Sequence, residues 1–194
     1  TYVDFCLGDT GAMAGHAPAP TVQAVTEQTR RGVTFMLPTE DAVWAGQEMT
    51  RRFGLPQWQF TLTATDANRF AIRIARGITG KPKILVFNYC YHGTVDETLG
   101  VLDDGGQVTY RAGNLGAPVH PSVTTRVVEF NDLEGLEREL AAGDVACVLA
   151  EPAMTNIGII LPQPGFHARL RELTRQYGTL LIIDETHTIC AGPG

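Results

Sequence analysis

The chain has 194 residues, 44% hydrophobic and 19% charged, which is enough apolar material for one sizeable core in the ordinary range of soluble domains. Its formal charge of -6 speaks against a nucleic-acid or acidic-membrane partner, since both reward clustered Lys and Arg, and Arg30-Arg31 and Arg51-Arg52 are short pairs that read as solvated helix ends. No stretch approaches the roughly 20 apolar residues of a membrane-spanning helix and no basic-then-apolar leader opens the chain, so a soluble, cytoplasmic protein without a membrane partner is expected.

In chain order, the opening TYVDFCLGD reads as a strand without a preceding methionine, and the closing CAGPG stops just past another strand; both ends suggest a segment of a longer polypeptide. After Pro18 and Pro20, TVQAVTEQTRRG predicts a short helix, with Val22 and Val25 on one face and Arg30, Arg31 and Gly32 as its stop. PTEDAVWAGQEMTRRFG repeats that design, with Thr39 as N-cap, acids in the first turn, arginines in the last and Gly54 beyond. QWQFTLT, residues 57–63, alternates like a strand, and DANRFAIRIARG carries Ala67, Phe70, Ala71 and Ile74 at helical spacing.

KILVFN is a short apolar strand, followed from Tyr89 to Ser122 by a glycine-rich stretch read as a long irregular loop of the functional or mobile kind. TTRVVEF is a strand. In NDLEGLERELAAG, Asn131 and Glu134 suggest a capping box and Leu133, Leu136 and Leu140 one helical face. VACVLAE, GFHARLRELTRQYG and TLLIIDE then read as strand, helix and strand. Cys6, Cys90, Cys147 and Cys190 are far apart without a C-x-x-C, so buried free thiols are expected rather than a disulfide framework or a zinc site.

Apolar β-rich runs separated by amphipathic helices predict an α/β fold, a mainly parallel sheet with helices on both faces. Ligands of such sheets collect outside the carboxyl ends of the strands. That directs attention to TATDAN, NYCYHG, EPAMTN and DETH, the residues that follow four predicted strands.

The acid at the end of LLIIDE has three chemical readings. As a Walker-B aspartate holding magnesium, Asp184 needs a G-x-x-x-x-G-K-[ST] loop, but ARGITGKP has Ala75 in place of the first Gly, Pro82 in place of Ser or Thr, and lies between helix and strand. As a metal ligand with His187 it has too few companions, so no metal is expected. As a carboxylate paired with the protonated ring nitrogen of pyridoxal 5'-phosphate, it makes the ring an electron sink and demands a phosphate cradle at a helix start and an aromatic plate. Thr63, Ala64, Thr65 and Asp66 at a helix start supply the first, and Tyr91, with His92 and Gly93, the second.

The order T-A-T-D-A, Y-H-G, E-P, L-L-I-I-D-E resembles the class III family of pyridoxal-phosphate aminotransferases, especially the branch containing glutamate-1-semialdehyde aminomutase; YVDFCLGDTGAMAGHAP and GVTFMLPTE are similar to that branch too. The resemblance implies fold type I, with residues 1–194 forming a segment of the large cofactor-binding domain, and a homodimer. It implies transfer of an amino group from an amine or amino-acid donor to a keto acceptor, with an intramolecular aminomutase as the alternative reaction. It matches Ala64 and Thr65 to the phosphate, Tyr91 to the ring face with His92 beside it, Asn156 to the ring's phenolic oxygen, Asp184 to the ring nitrogen and Thr186 to the opposite face. His187 stands where many members have Gln or Met and is placed to bond the ring oxygen.

Several residues depart from the family pattern. Ala64 puts a methyl where a glycine usually lets backbone approach phosphate, and Thr186 puts a hydroxyl on an apolar face. Asp9 stands where the aminomutase branch has a pocket tryptophan, either to receive a substrate ammonium or to cap a turn. The Schiff-base lysine of the family has no counterpart, because the only lysines, Lys81 and Lys83, flank Pro82 at the start of a strand, at the far end of the sheet from the site.

Overall fold

The computed structural model describes residues 1–191. They divide into two compact units, the first containing Thr1–Phe60 and the second running from Thr61 to Thr188. No helix among the described residues is long and apolar enough to cross a membrane.

In the first unit the strand expected at the start does not form. The Asp4 carboxylate accepts hydrogen bonds from the Cys6 N–H (2.9 Å) and the Gly8 N–H (2.8 Å), and a side chain that captures nearby backbone donors competes with extended pairing. The chain then passes through left-handed backbone at Leu7, Gly8, Asp9 and Thr10. Helix α1 (Ala19–Arg31) and helix α2 (Glu40–Phe53) follow as expected, the latter capped by Thr39, whose hydroxyl accepts from the Ala42 N–H, and stopped by Gly54 in the left-handed region. Residues 57–63 alternate but form no strand. No described strand runs beside them to supply the ladder partners that an isolated strand lacks.

The second unit opens with α3 (Ala64–Thr79), capped by the Thr63 hydroxyl on the Asp66 N–H and closed by left-handed Gly80. Strand β1 (Lys83–Phe87) follows. The stretch read as an irregular loop is partly ordered: a 3-10 turn at Asp96–Leu99 leads into an antiparallel hairpin of β2 (Gly100–Leu102) and β3 (Val108–Tyr110). The Asp103 carboxylate, accepting from the Gly105 and Gln107 N–H groups, closes that hairpin, so the Asp-Asp-Gly-Gly run between the two short strands was its signature. The chain continues through α4 (Pro121–Thr124), β4 (Thr125–Val128), α5 (Leu133–Ala141), β5 (Val145–Ala150), α6 (Phe166–Gln176) and β6 (Leu180–Ile183). The cap of α5 is Asp132, not Asn131; Asn131 has φ 73° and uses its amide on Leu161 and Gln163 across a loop.

The α/β expectation holds: β4, β1, β5 and β6 form one parallel sheet in that order. Every residue of β5 is buried, which requires cover on both faces of the sheet. The connection after β1 leads to one edge and that after β5 to the other, so a crevice opens between the carboxyl ends of these neighbours. Under it, Phe87 packs edge-on against Phe130 (5.2 Å between centroids) and both meet Phe166, at 5.7 and 4.7 Å. Of the four cysteines, Cys90 and Cys147 are buried thiols as expected, whereas Cys6 and Cys190 are exposed.

Phe166 is 1% exposed and joins α6 to the end of β1. Phe166→Ala is expected to lower the unfolding free energy by about 3 to 5 kcal/mol, read from the urea midpoint and slope.

Candidate functional site

Strand β6 ends at Ile183, and the Asp184 N–H extends the ladder by one bond to the Ala150 carbonyl at 2.8 Å. The Asp184 side chain, 8% exposed, turns inward at that tip. Its Oδ2 accepts from the Asn68 amide on α3 and from His92 Nδ1 in the loop after β1, each at 2.9 Å. Its Oδ1 accepts from the Thr186 N–H (3.0 Å) and the Thr186 hydroxyl (2.6 Å). A buried carboxylate is stable only with such donors.

Burial pushes the Asp184 carboxyl up, but the hydrogen bonds from His92, Thr186 and Asn68 outweigh it and hold the group well below the usual carboxylate range. Burial likewise pulls the His92 imidazole down, while Asp184 and Cys90 act the other way and raise it to about 10. Both shifts favour an ionised acid facing an imidazolium. The other imidazole nitrogen, Nε2, is buried without a partner among the described residues.

Sequence reasoning missed Asn68. It shares the buried stripe of α3 with Ile72 and Ala75, and its amide also reaches the His92 carbonyl at 3.2 Å. That stripe is not the Ala67, Phe70, Ala71 and Ile74 face read from the sequence, of which Phe70 and Ile74 are exposed, so local spacing carried no signal for Asn68.

At the start of α3 the Thr63 cap uses the Asp66 N–H, while the Ala64 and Thr65 N–H groups have no partner among the described residues. Thr65 also meets the Tyr91-His92-Gly93 loop: its hydroxyl accepts from the Thr94 N–H at 3.2 Å, and a Cβ at Gly93, where φ is 80°, would overlap that hydroxyl. Only glycine lets the loop approach the helix start so closely. Two unpaired N–H groups at the positive end of a 16-residue helix suit an anion, and the ionised Asp184 suits a cationic N–H. The residues present therefore fit a group with a phosphate at one end and a protonated ring nitrogen at the other.

Tyr91 is half-exposed and borders an open cavity of about 430 Å³ together with Thr94, Arg111, Asn114, Leu115 and Asn156. Buried Glu151 braces the adjoining turn through its Oε2, which accepts from the Thr155 N–H (2.9 Å) and hydroxyl (2.8 Å). The Asn156 amide donates to the Tyr89 carbonyl at 3.2 Å. The structure thus joins Asp184, His92 and Thr186 directly, and links Thr65 to them through the loop that carries His92. Ala64 is exposed beside Thr65, and His187 is half-buried two residues past Thr186. Asp9 lies in the first unit, exposed, with φ 55°.

Both lysines serve structure at the amino ends of the strands. The Lys81 ammonium donates to the Tyr177 and Gly178 carbonyls at 2.7 and 2.9 Å, and that of Lys83 lies 3.8 Å from Asp144.

The sequence model of the class-III aminotransferase family matches residues 1–194. A glutamate-1-semialdehyde 2,1-aminomutase from Desulfitobacterium hafniense is 37% identical over 97% of the chain, which spans 44% of that relative's length. Among solved structures, a glutamate-1-semialdehyde-aminomutase from Pseudomonas aeruginosa PAO1 superimposes with a TM-score of 0.95 at 57% identity, covering 99% of this chain and 42% of that one. A lysine-to-alanine form of the Pseudomonas protein, in complex with PMP, superimposes equally well. An omega-transaminase from Sphaerobacter thermophilus gives 0.87 at 34% identity, over 96% of this chain and 44% of its own.

The pair of charges has a pH signature. The folded His92 lies above its ordinary 6.5, so its share of stability is complete below that pH and is lost as the pH rises through about 10. Asp184 lies below its ordinary 3.8, so its share is present above that value and is lost as the pH falls. His92→Asn keeps a donor near Nδ1 without the charge. The gap in urea midpoint between it and the unsubstituted protein should be widest near about pH 6 and close as the pH rises past about 10.

Proposed function

Because the chain belongs to the class III aminotransferase family, we propose that it carries the ring- and phosphate-binding part of a pyridoxal 5'-phosphate site, one that moves an amino group from an amine or amino-acid donor to a carbonyl acceptor. The fold is the type I fold of that family. When bound, the cofactor supplies an electron sink for the pair left behind when a proton leaves the carbon bearing the amine. The carrying observation is the Asp184 carboxylate, held ionised at a strand tip by Asn68 and His92.

In this reading Asp184 keeps the ring nitrogen protonated, which is what makes the sink effective. Asn68 and His92 fix the direction of the carboxylate. The Ala64 and Thr65 N–H groups, at the positive end of α3, hold the phosphate. Tyr91 covers one ring face and Thr186 the other, while Asn156 and His187 serve the phenolic oxygen. A homodimer in the cytoplasm belongs to the same proposal, by analogy with the family.

A second reading, an intramolecular aminomutase acting on glutamate 1-semialdehyde, draws on the names of the relatives, including the 57% identical Pseudomonas protein. Acceptor dependence separates the two: the complete enzyme, given an amine donor, turns over only with added keto acid if it is a transaminase, and converts the semialdehyde without one if it is a mutase.

Asp184→Asn in the complete enzyme should slow amino transfer by at least about 100-fold, since about 2.7 kcal/mol of barrier corresponds to two factors of ten. Single-turnover spectra with a saturating donor measure this directly. An unchanged rate would remove Asp184 from the role given to it.

A further inference from the structure

The Asp184 carboxylate is already fully engaged. Its Oδ2 accepts from Asn68 and His92, and its Oδ1 from the N–H and the hydroxyl of Thr186. A carboxylate offers about four lone-pair positions, so any further donor aimed at Asp184 has to replace one of these four.

The four differ in how readily they yield. Asn68 is 6% exposed and His92 1%, and displacing either would strand a buried polar group. The Thr186 N–H is fixed by the backbone of the turn. Thr186 is an exposed residue whose hydroxyl turns about a single bond. It is also bound to the oxygen that faces away from the buried Asn68 and His92 donors.

We propose that the Thr186 hydroxyl holds the acceptor position on Asp184 Oδ1 that the cofactor's ring N–H takes over, so that loading the cofactor requires the Thr186 side chain to turn away. The proposal rests on the reading of Asp184 as the ring partner. Thr186 then does two things. Before the ring arrives, its hydroxyl keeps the carboxylate ionised and aimed; when the ring arrives, breaking that bond lowers the apparent affinity. Thr186 is a positioning residue for Asp184, and its hydroxyl accounts for a polar group on a face where packing alone calls for an apolar one.

The test measures binding to the complete enzyme, freed of cofactor, with pyridoxamine 5'-phosphate, which has no aldehyde and needs no lysine. Thr186→Val keeps the shape and removes the donor, whereas Thr186→Ser keeps the donor. By calorimetry, Thr186→Val should bind pyridoxamine 5'-phosphate about threefold to tenfold more tightly than the unsubstituted enzyme, the equivalent of one modest net hydrogen bond. Thr186→Ser, which keeps the donor, should show no such gain. The discriminating ligand is the 1-deaza analogue, with C–H in place of the ring nitrogen, for which Thr186→Val should show no gain. An equal gain with both ligands means that valine merely packs better on the ring, and overturns the proposal, as does an unchanged or weaker affinity for pyridoxamine 5'-phosphate. If the unsubstituted enzyme binds both ligands equally and Asp184→Asn changes neither affinity, it is the assignment of Asp184 that fails.

Discussion

A carboxylate taken out of water has to be surrounded by donors, and at Asp184 those donors come from three parts of the chain. Asn68 lies on a helix that precedes the sheet, His92 follows the first strand of the sheet, and Thr186 follows the last. Together their hydrogen bonds outweigh the effect of burial and favour the ionised acid. The parallel register makes this possible: Val86 stands beside Leu149, and Leu149 beside Ile182, so the ends of β1, β5 and β6 lie in one row. A register slip of one residue would reverse the side on which each tip residue points.

Helix α3 acts as a ruler between the two ends of the proposed ligand. Ala64 and Thr65, in its first turn, present free N–H groups, and Asn68, one turn further, holds Asp184. At about 1.5 Å of rise per residue, the anion end and the carboxylate anchor are separated by only about one helical pitch. The Gly93 contact with Thr65 ties the loop that carries His92 to the same ruler. A substitution that lengthens or frays the start of α3 thus disturbs both ends of the site.

Much of this was legible in the sequence because the signals were local. Apolar runs gave β1, β4, β5 and β6, and Thr39 and Gly54 marked helix ends. The failures share a cause. Alternation at residues 57–63 says that a segment suits a half-buried strand, not that a partner lies beside it, and in the opening nine Asp4 had a competing local use for the backbone donors. Asn131 and Asp132 are both competent caps, and the choice between them fell to a loop contact with Gln163 that no local pattern encodes. In the site, Asp184, His92 and Thr65 follow from their places after strands or at a helix start and from the family likeness. Asn68 does not, since mid-helix polar residues are usually solvated, and its meaning depends on an acid 116 positions away.

The pair formed by His92 and Asp184 is a poor device for stability alone. Replacing a buried ion pair by apolar side chains of similar volume is often neutral or stabilising. Here the cost is visible: whichever proton arrangement His92 adopts, Nε2 remains buried without a partner among the described residues, as a bare acceptor when the ring is neutral or a bare donor when it is charged. What the pair provides is an anion whose charge survives burial, because the imidazolium lowers the free energy of the ionised acid more than of the neutral one. An amide in place of His92 would supply a hydrogen bond but not that bias. The arrangement therefore makes sense as preparation for a cationic partner at the strand tip, where a carboxylate that took up a proton would have nothing to offer.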